Sequence, residues 1–224
     1  MLFNAFIWIL AQLLVISYTL PAGTATAYEA NGYVPAAVVL HHVVTLHLKQ
    51  FVPVSPGDVR VLSLDIDGTI ADVREREHYA VTVSGDREQK NRFFNVFLNG
   101  KYYEMDTPVA AALRFVNSYK EHYGDNCLIV YLSGRRYKTE HQTQAWLAKH
   151  GFPAGIIFHR HHGNSMVFKE QFLKAMKQSF KQVDAHIGDR VTDDGGAAAS
   201  AGVKFLHCTH EDSTWPHFDE VMFA

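Results

Sequence analysis

Apolar residues along this chain gather into short continuous runs separated by longer stretches with helical spacing. The run Val59–Leu64 is β-branched or aliphatic apart from Arg60 and Ser63, which is the pattern of a strand buried on both faces. Runs at Cys127–Leu132, Gly155–Phe158, Val183–Ile187 and Val203–Cys208 predict four more strands. Between them, Val109, Ala112, Leu113, Val116 and Tyr119 recur at helical spacing after Asp106-Thr107-Pro108. That order predicts a helix with Thr107 as N-cap, Pro108 at its first position and Gly124 as its stop. Further helices are expected over Thr139–His150, with Ala145, Trp146 and Leu147 inward, over Val167–Ser179 and over Gly195–Ala201. Strands alternating with helices in this way make an α/β fold, a doubly wound parallel sheet.

Two segments depart from the alternation. Met1–Leu20 is almost wholly apolar and ends at Pro21, with Ala25-Thr26-Ala27 just beyond, yet no Lys or Arg precedes it. It reads as a cleaved signal, as an uncleaved anchor, or as a tail that packs on the domain or lies outside the working protein. Membrane association or export is therefore favoured slightly over a cytoplasmic location. Residues 1–27 form this signal-like or anchor-like segment, and 28–58 an extension with a helix from Pro35 to about Gln50. Residues 59–224 form the main domain, marked off by Ser55-Pro56-Gly57-Asp58. The second departure is Ala71–Asp106, a small insert after the first strand. It holds a short helix within Asp86–Gly100 carrying Phe93, Phe94, Val96, Phe97 and Leu98. Arg74, Arg76, His78 and Tyr79 either face the site or only keep a loop wet.

Composition narrows the classes. With 224 residues, 47% hydrophobic and 20% charged, the chain builds one good core. A formal charge of −2 supplies no global basic field, so a nucleic-acid partner would need a local patch. Two cysteines make no disulfide framework. His159, His161 and His162 suggest zinc at first sight. No cysteine or acid is spaced with them, and neighbouring residues cannot all converge on one ion. Arg160 among them reads instead as a phosphate-facing guanidinium. No protein partner is indicated.

Chemistry concentrates where strands end. Asp65 leaves the first strand, Asp67 follows two residues on, and Gly68 permits a sharp turn. One carboxylate can attack a phosphoryl group while the other protonates the leaving alkoxide and then activates water. Two anions beside a phosphate call for a divalent cation. Ser133-Gly134-Arg135 follows the second strand, and Gly188-Asp189 through Asp193 follows the fourth.

These segments, with Lys169, resemble the four motifs of the haloacid dehalogenase-like (HAD) superfamily over about Val59–Cys208. The resemblance implies a Rossmann-like HAD fold and a Mg²⁺-dependent phosphomonoester hydrolase working through an aspartyl-phosphate. Asp65 would be the nucleophile and Asp67 the general acid/base. Mg²⁺ would be held by Asp65, Asp189 and the main-chain carbonyl of Asp67. Ser133, Gly134, Lys169 and Arg160 would hold the phosphoryl oxygens, with Lys169 preferred to Lys174. Asp193, Thr69 and Arg135 would support them. Within the superfamily, Arg76-Glu77-His78-Tyr79, Phe93-Phe94, Asp106-Thr107-Pro108 and Ser133-Gly134-Arg135 look like the phosphatase domain of polynucleotide kinase-phosphatases. Gly188 and Gly163-Asn164 depart from that pattern. The substrate implied is a phosphorylated small molecule or a nucleotide or polynucleotide phosphate end. The alternative is a non-catalytic or lipid-directed phosphate-binding domain at a membrane, since the lipin phosphatase domain shares the last motifs.

Overall fold

The computed structural model describes residues 59–85, 90–160 and 163–222, all within the unit Val54–Ala224. The expected apolar segment, the helix from Pro35 and the boundary at residue 58 lie outside the described residues. Five strands form one sheet in the order β5-β4-β1-β6-β7, and every pairing is parallel. They are β1 (Arg60–Leu64), β4 (Cys127–Arg136), β5 (Ile156–Arg160), β6 (Gln182–Gly188) and β7 (Phe205–His207). The chain runs outward from β1 through β4 to β5 and then returns to β6 on the other side. The crevice between β1 and β6 is thus the switch point where such sheets place ligands.

β1 is central because it can be: Val61, Leu62 and Leu64 are fully buried. Each such side chain contributes about 1.5–3 kcal/mol relative to an exposed one. Leu62, Leu64, Ile129, Tyr131, Ala185 and Ile187 share one core cluster with Ala112, Phe115 and Val116 of α3 (Ala110–Tyr123) and with Trp146 and Leu147 of α4 (Glu140–Lys149). By strand alternation Ser63 and His186 point to the other face. There α5 (Ser165–Ser179) and α6 (Gly196–Ala201) pack on one another, outside that cluster.

The insert between β1 and α3 is closed at its root by a two-stranded antiparallel ladder. In it β2 (Ala71–Asp72) pairs with β3 (Thr107–Pro108), Ala71 opposite Pro108 and Asp72 opposite Thr107. This pairing overturns the expected helix start. Thr107 and Pro108 are extended, Val109 N–H donates to Ile70 O at 3.0 Å, and the helix begins only at Ala110. Its free amide at Ala111 is met by Asp212 Oδ1 at 2.9 Å, a carboxylate from a distant turn rather than the adjacent threonine. The insert itself holds α1 (Arg74–Ser84), α2 (Lys90–Phe97) and a 3₁₀ turn, Gly100–Met105.

Two smaller expectations also change. Ala145 is exposed, and Thr143 joins Trp146 and Leu147 on the inner face of α4. The second strand runs on to Arg136, so Ser133-Gly134-Arg135 lies within β4, where the pairing with β5 shifts between Ser133 and Arg136.

Candidate active site

Asp65 follows β1 directly, its N–H bonded to Ile187 O of β6 at 2.8 Å. Ile66 turns inward, fully buried, and its carbonyl accepts the amides of Thr69, Ile70 and Ala71 at 3.0–3.2 Å. That knot fixes the loop and sends Asp65 and Asp67 into different surroundings. Gly68 carries φ +84°, and a Cβ there would stand 2.6 Å from Asp189 Oδ2, so the motif needs glycine both for its turn and for the acid opposite.

The Asp65 side is rich in carboxylates. Asp65, Asp189 and Asp194 each offer an oxygen, and these oxygens lie within 4.8 Å of one another. Lys169 of α5, 2% exposed, bridges Asp65 Oδ1 at 2.8 Å and Asp194 Oδ1 at 2.5 Å. Asp194 Oδ1 also meets His186 Nε2 at 3.0 Å, and its Oδ2 accepts the Arg190 amide at 3.2 Å. Burial, then the charges of Asp194 and Asp189, push the Asp65 carboxyl up to about 8 even against the pull of Lys169. Asp189, raised by burial and by Asp194, stands at about 6. For Asp194 the bonds from His186 and Lys169 outweigh burial and hold it at about 2.

The Asp67 side is balanced in charge. Its Oδ1 accepts from Arg76 Nη2 at 2.7 Å and from Arg135 Nε and Nη2 at 2.9 and 2.6 Å. Both guanidiniums, fully buried, also bond Asp106: Arg76 Nε at 2.8 Å and Arg135 Nη2 at 2.9 Å. They lie over aromatic faces, Arg135 3.9 Å from the Tyr103 centroid and Arg76 4.2 Å from that of Phe97. Burial would raise the Asp67 carboxyl, but Arg135 and Arg76 outweigh it and hold it well below the usual carboxylate range.

The structure brings Asp65, Asp67, Lys169, Asp189, Thr69 and Arg135 together. Thr69 Oγ1 reaches Asp189 Oδ1 at 3.5 Å. Ser133 Oγ, fully buried, accepts the Arg135 amide at 3.1 Å. Arg160 bonds the carbonyls of Gly134, at 3.4 Å, and Gly163. Asp193 pairs with Arg190 at 3.0 Å, while the next residue, Asp194, joins the acidic cluster. Lys174 is exposed and paired with Glu170. Of the four residues behind the carboxylates, Arg76 faces the site, while Arg74 and His78 are exposed. Asp194, Asp106 and His186 are site residues that sequence reasoning missed.

The donor set fits a hard divalent cation. Carboxylate oxygens are the ligands Mg²⁺ takes, and the site holds three carboxylates against one lysine. Asp194 is already bonded by Lys169, His186 and Arg190, which leaves Asp65 and Asp189 as the side chains that would hold the ion.

Two chains from the Pnkp1/Rnl/Hen1 complexes resemble the fold, each at 16% identity. One gives a TM-score of 0.51 and covers 67% of this chain and 45% of its own; the RNA repair complex gives 0.50, 80% and 58%. This chain therefore spans only about half the length of those relatives. A HAD-superfamily hydrolase, subfamily IA, variant 1, from Geobacter sulfurreducens is 12% identical, with a TM-score of 0.47 over 66% of this chain and 89% of its own. No curated protein matches the sequence. The fold, a parallel sheet with flanking helices and an acidic switch point, is Rossmann-like and is shared with the Pnkp1/Rnl/Hen1 chains. Residues 63–204 match the family described as PITM 1-3, LNS2 domain, and the chain belongs to it.

Proposed function

We propose that the domain hydrolyses phosphate monoesters through an aspartyl-phosphate on Asp65, with Mg²⁺ held by Asp65, Asp189 and the Asp67 carbonyl. The observation that supports this most is the convergence of Asp65, Lys169 and Asp189 at the β1/β6 switch point, with Asp67 two residues on. The Asp65 oxygen not bonded to Lys169 attacks phosphorus as the bond to the ester oxygen breaks, and Asp67 supplies the proton that oxygen takes. Asp67 then removes a proton from water, the water oxygen attacks phosphorus, and the bond to Asp65 breaks to free phosphate. Lys169 stabilises the charge on the transferring group. The cation, when bound, offsets repulsion between the carboxylates and the phosphate. In this reading Ser133, Gly134 and Arg160 are assigned as further phosphate contacts, as the motif resemblance implies.

One observation favours a second reading, a phosphate-binding domain without turnover. Arg76 and Arg135 keep Asp67 ionised, the right state for accepting a proton from water and the wrong one for giving a proton to a leaving group. Two substrates separate the readings. An alkyl phosphate needs a general acid, whereas p-nitrophenyl phosphate leaves without one. Hydrolysis of both, with Mg²⁺ and lost in Asp65→Asn, supports the enzyme. Hydrolysis of p-nitrophenyl phosphate alone removes Asp67 from the acid role. Phosphate binding with no turnover establishes the second reading. Two substrate classes belong to this reading: nucleotide or polynucleotide phosphate ends, and lipid phosphates at a membrane. A 3′-phosphorylated oligonucleotide and a phosphatidate vesicle are the substrates to compare.

A further inference from the structure

His186 is a polar ring fully buried in β6 between Ala185 and Ile187, and neither step of the proposed reaction uses it. Burying an imidazole is unfavourable unless both ring nitrogens are satisfied. Here both are. Nδ1 lies 3.0 Å from Ser63 Oγ, the residue opposite it in the β1/β6 ladder, and Nε2 lies 3.0 Å from Asp194 Oδ1. Burial lowers the pKa of the ring and so favours its neutral form. A neutral ring carries one N–H. Asp194 is held as an anion and can only accept, so the proton belongs on Nε2; Nδ1 then accepts the Ser63 hydroxyl. No other arrangement of that one proton satisfies all four groups.

The bonds continue from there to the reacting carboxylate. Asp194 Oδ1 holds Lys169 Nζ at 2.5 Å, and Lys169 Nζ meets Asp65 Oδ1 at 2.8 Å. Lysine on a long stem has no fixed direction of its own. Its ammonium is placed by the anion beneath it, and that anion is placed by His186 on one side and the Arg190 amide on the other. A neutral donor suits this position. A second cation would compete with Lys169 for Asp194, whereas the imidazole orients the carboxylate without cancelling its charge. Gly188 makes room for the arrangement, since a Cβ there would collide with the Asp194 carboxyl.

We infer that His186 is a positioning residue: oriented by Ser63, it fixes Asp194 and through it the Lys169 ammonium against the nucleophile Asp65. For its activity readout the inference rests on the phosphatase reading; its geometric content does not.

The variants are His186→Leu, which fills the space without hydrogen bonds, His186→Gln, which keeps an N–H near the Nε2 position, and Ser63→Ala. Partners behind site residues are typically worth about 10–100-fold in activity. His186→Leu should lower kcat by about that factor with KM changed less than about threefold, and His186→Gln should recover most of the loss. Activity within about threefold of wild type in His186→Leu, assayed well below its unfolding temperature, overturns the inference, as does a rise in KM alone. A second measurement needs no substrate and no variant that folds poorly. Nitrogen-15 chemical shifts of the wild-type ring should show the proton on Nε2; a proton on Nδ1 overturns the proposal. If wild type does not turn over, the phosphatase reading fails while the tautomer still decides this one. Inorganic phosphate then replaces the ester: its Kd should weaken about tenfold in His186→Leu, and an unchanged Kd overturns the proposal.

Discussion

Replacing either motif aspartate by asparagine should stop turnover, but the two variants should move stability in opposite directions. Asp67 sits with Asp106 against Arg76 and Arg135, two negative charges and two positive. Asp67→Asn leaves that buried group one positive charge in excess and weakens three hydrogen bonds. Removing one partner from a buried ion pair costs about 3–5 kcal/mol, and the low end applies because 18% of the Asp67 side chain reaches solvent. For a chain of this size, about 3 kcal/mol lowers Tm by roughly 6–12 °C. Asp65 stands in the reverse situation. With Asp189 and Asp194 against Lys169 alone, its cluster carries a formal −2, and Asp65→Asn reduces that to −1.

The pH dependence follows with opposite signs. Asp65, raised to about 8, contributes stability that is full below the unfolded carboxyl value of about 3.9 and is lost as pH rises toward 8. Asp67, held low by Arg135 and Arg76, contributes stability that is full above about 3.9 and is lost as pH falls through its folded value. Thermal unfolding by circular dichroism in chelator should therefore show Asp65→Asn higher in Tm at pH 7, with the gain growing between pH 4 and 8. Asp67→Asn should be clearly lower, its deficit shrinking below pH 4. Equal shifts of the same sign, or a change of less than about 2 °C in Asp67→Asn, would refute the division of the loop into two electrostatic halves.

Three further outcomes are expected. Mg²⁺ at about a hundred times its Kd should stabilise the wild type by about 2.7 kcal/mol, and Asp189→Asn should lose most of that thermal shift; an equal shift in both removes Asp189 from the metal site. Gly68→Ala forces a side chain into the left-handed region, at about 1–2 kcal/mol, and pushes on Asp189; its Mg²⁺-dependent shift should fall with its Tm, and a variant matching wild type in both would show the turn to be tolerant. A chain beginning at Tyr28 should hydrolyse phosphate esters at the rate of residues 1–224, whereas residues 1–224 should fractionate with membranes or be exported, and their recovery soluble and uncleaved would reject the targeting role of residues 1–20.

The parallel sheet was legible because its signal is continuous apolar runs, and β1 met every requirement of a central strand. The Asp65–Thr69 motif was legible because a glycine and two acids after such a run have few structural uses. Helix α1 was not, because its buried face is Arg76, Ala80 and Ser84, four residues apart but carrying no hydrophobic period to detect. Thr107 and Pro108 misled for a different reason: every local preference favoured a helix start, and two residues of ladder with Ala71-Asp72 outweighed it. Asp194 stood beside Asp193 with nothing in the sequence to choose between them. Which of two adjacent acids turns inward is set by the π turn Val191–Gly195 and by a histidine eight residues earlier, both features of the folded chain. Nor does the sequence single out His186, which alternates like Asp184 with Val183, Ala185 and Ile187.

Arg76 gives the insert a standing that its small size conceals. It leaves α1 to bond Asp67 of the loop after β1, Asp106 at the end of the insert and the Phe97 carbonyl of α2. Swinging the insert away would expose or strand a guanidinium and two carboxylates together, a cost far beyond thermal energy. The described part of the insert, residues 71–85 and 90–108, therefore forms a fixed wall of the site and not a door. Exchanging that segment for its counterpart in another protein of this fold would remove the counter-ion of a motif aspartate, so the insert and the loop can change only as a pair.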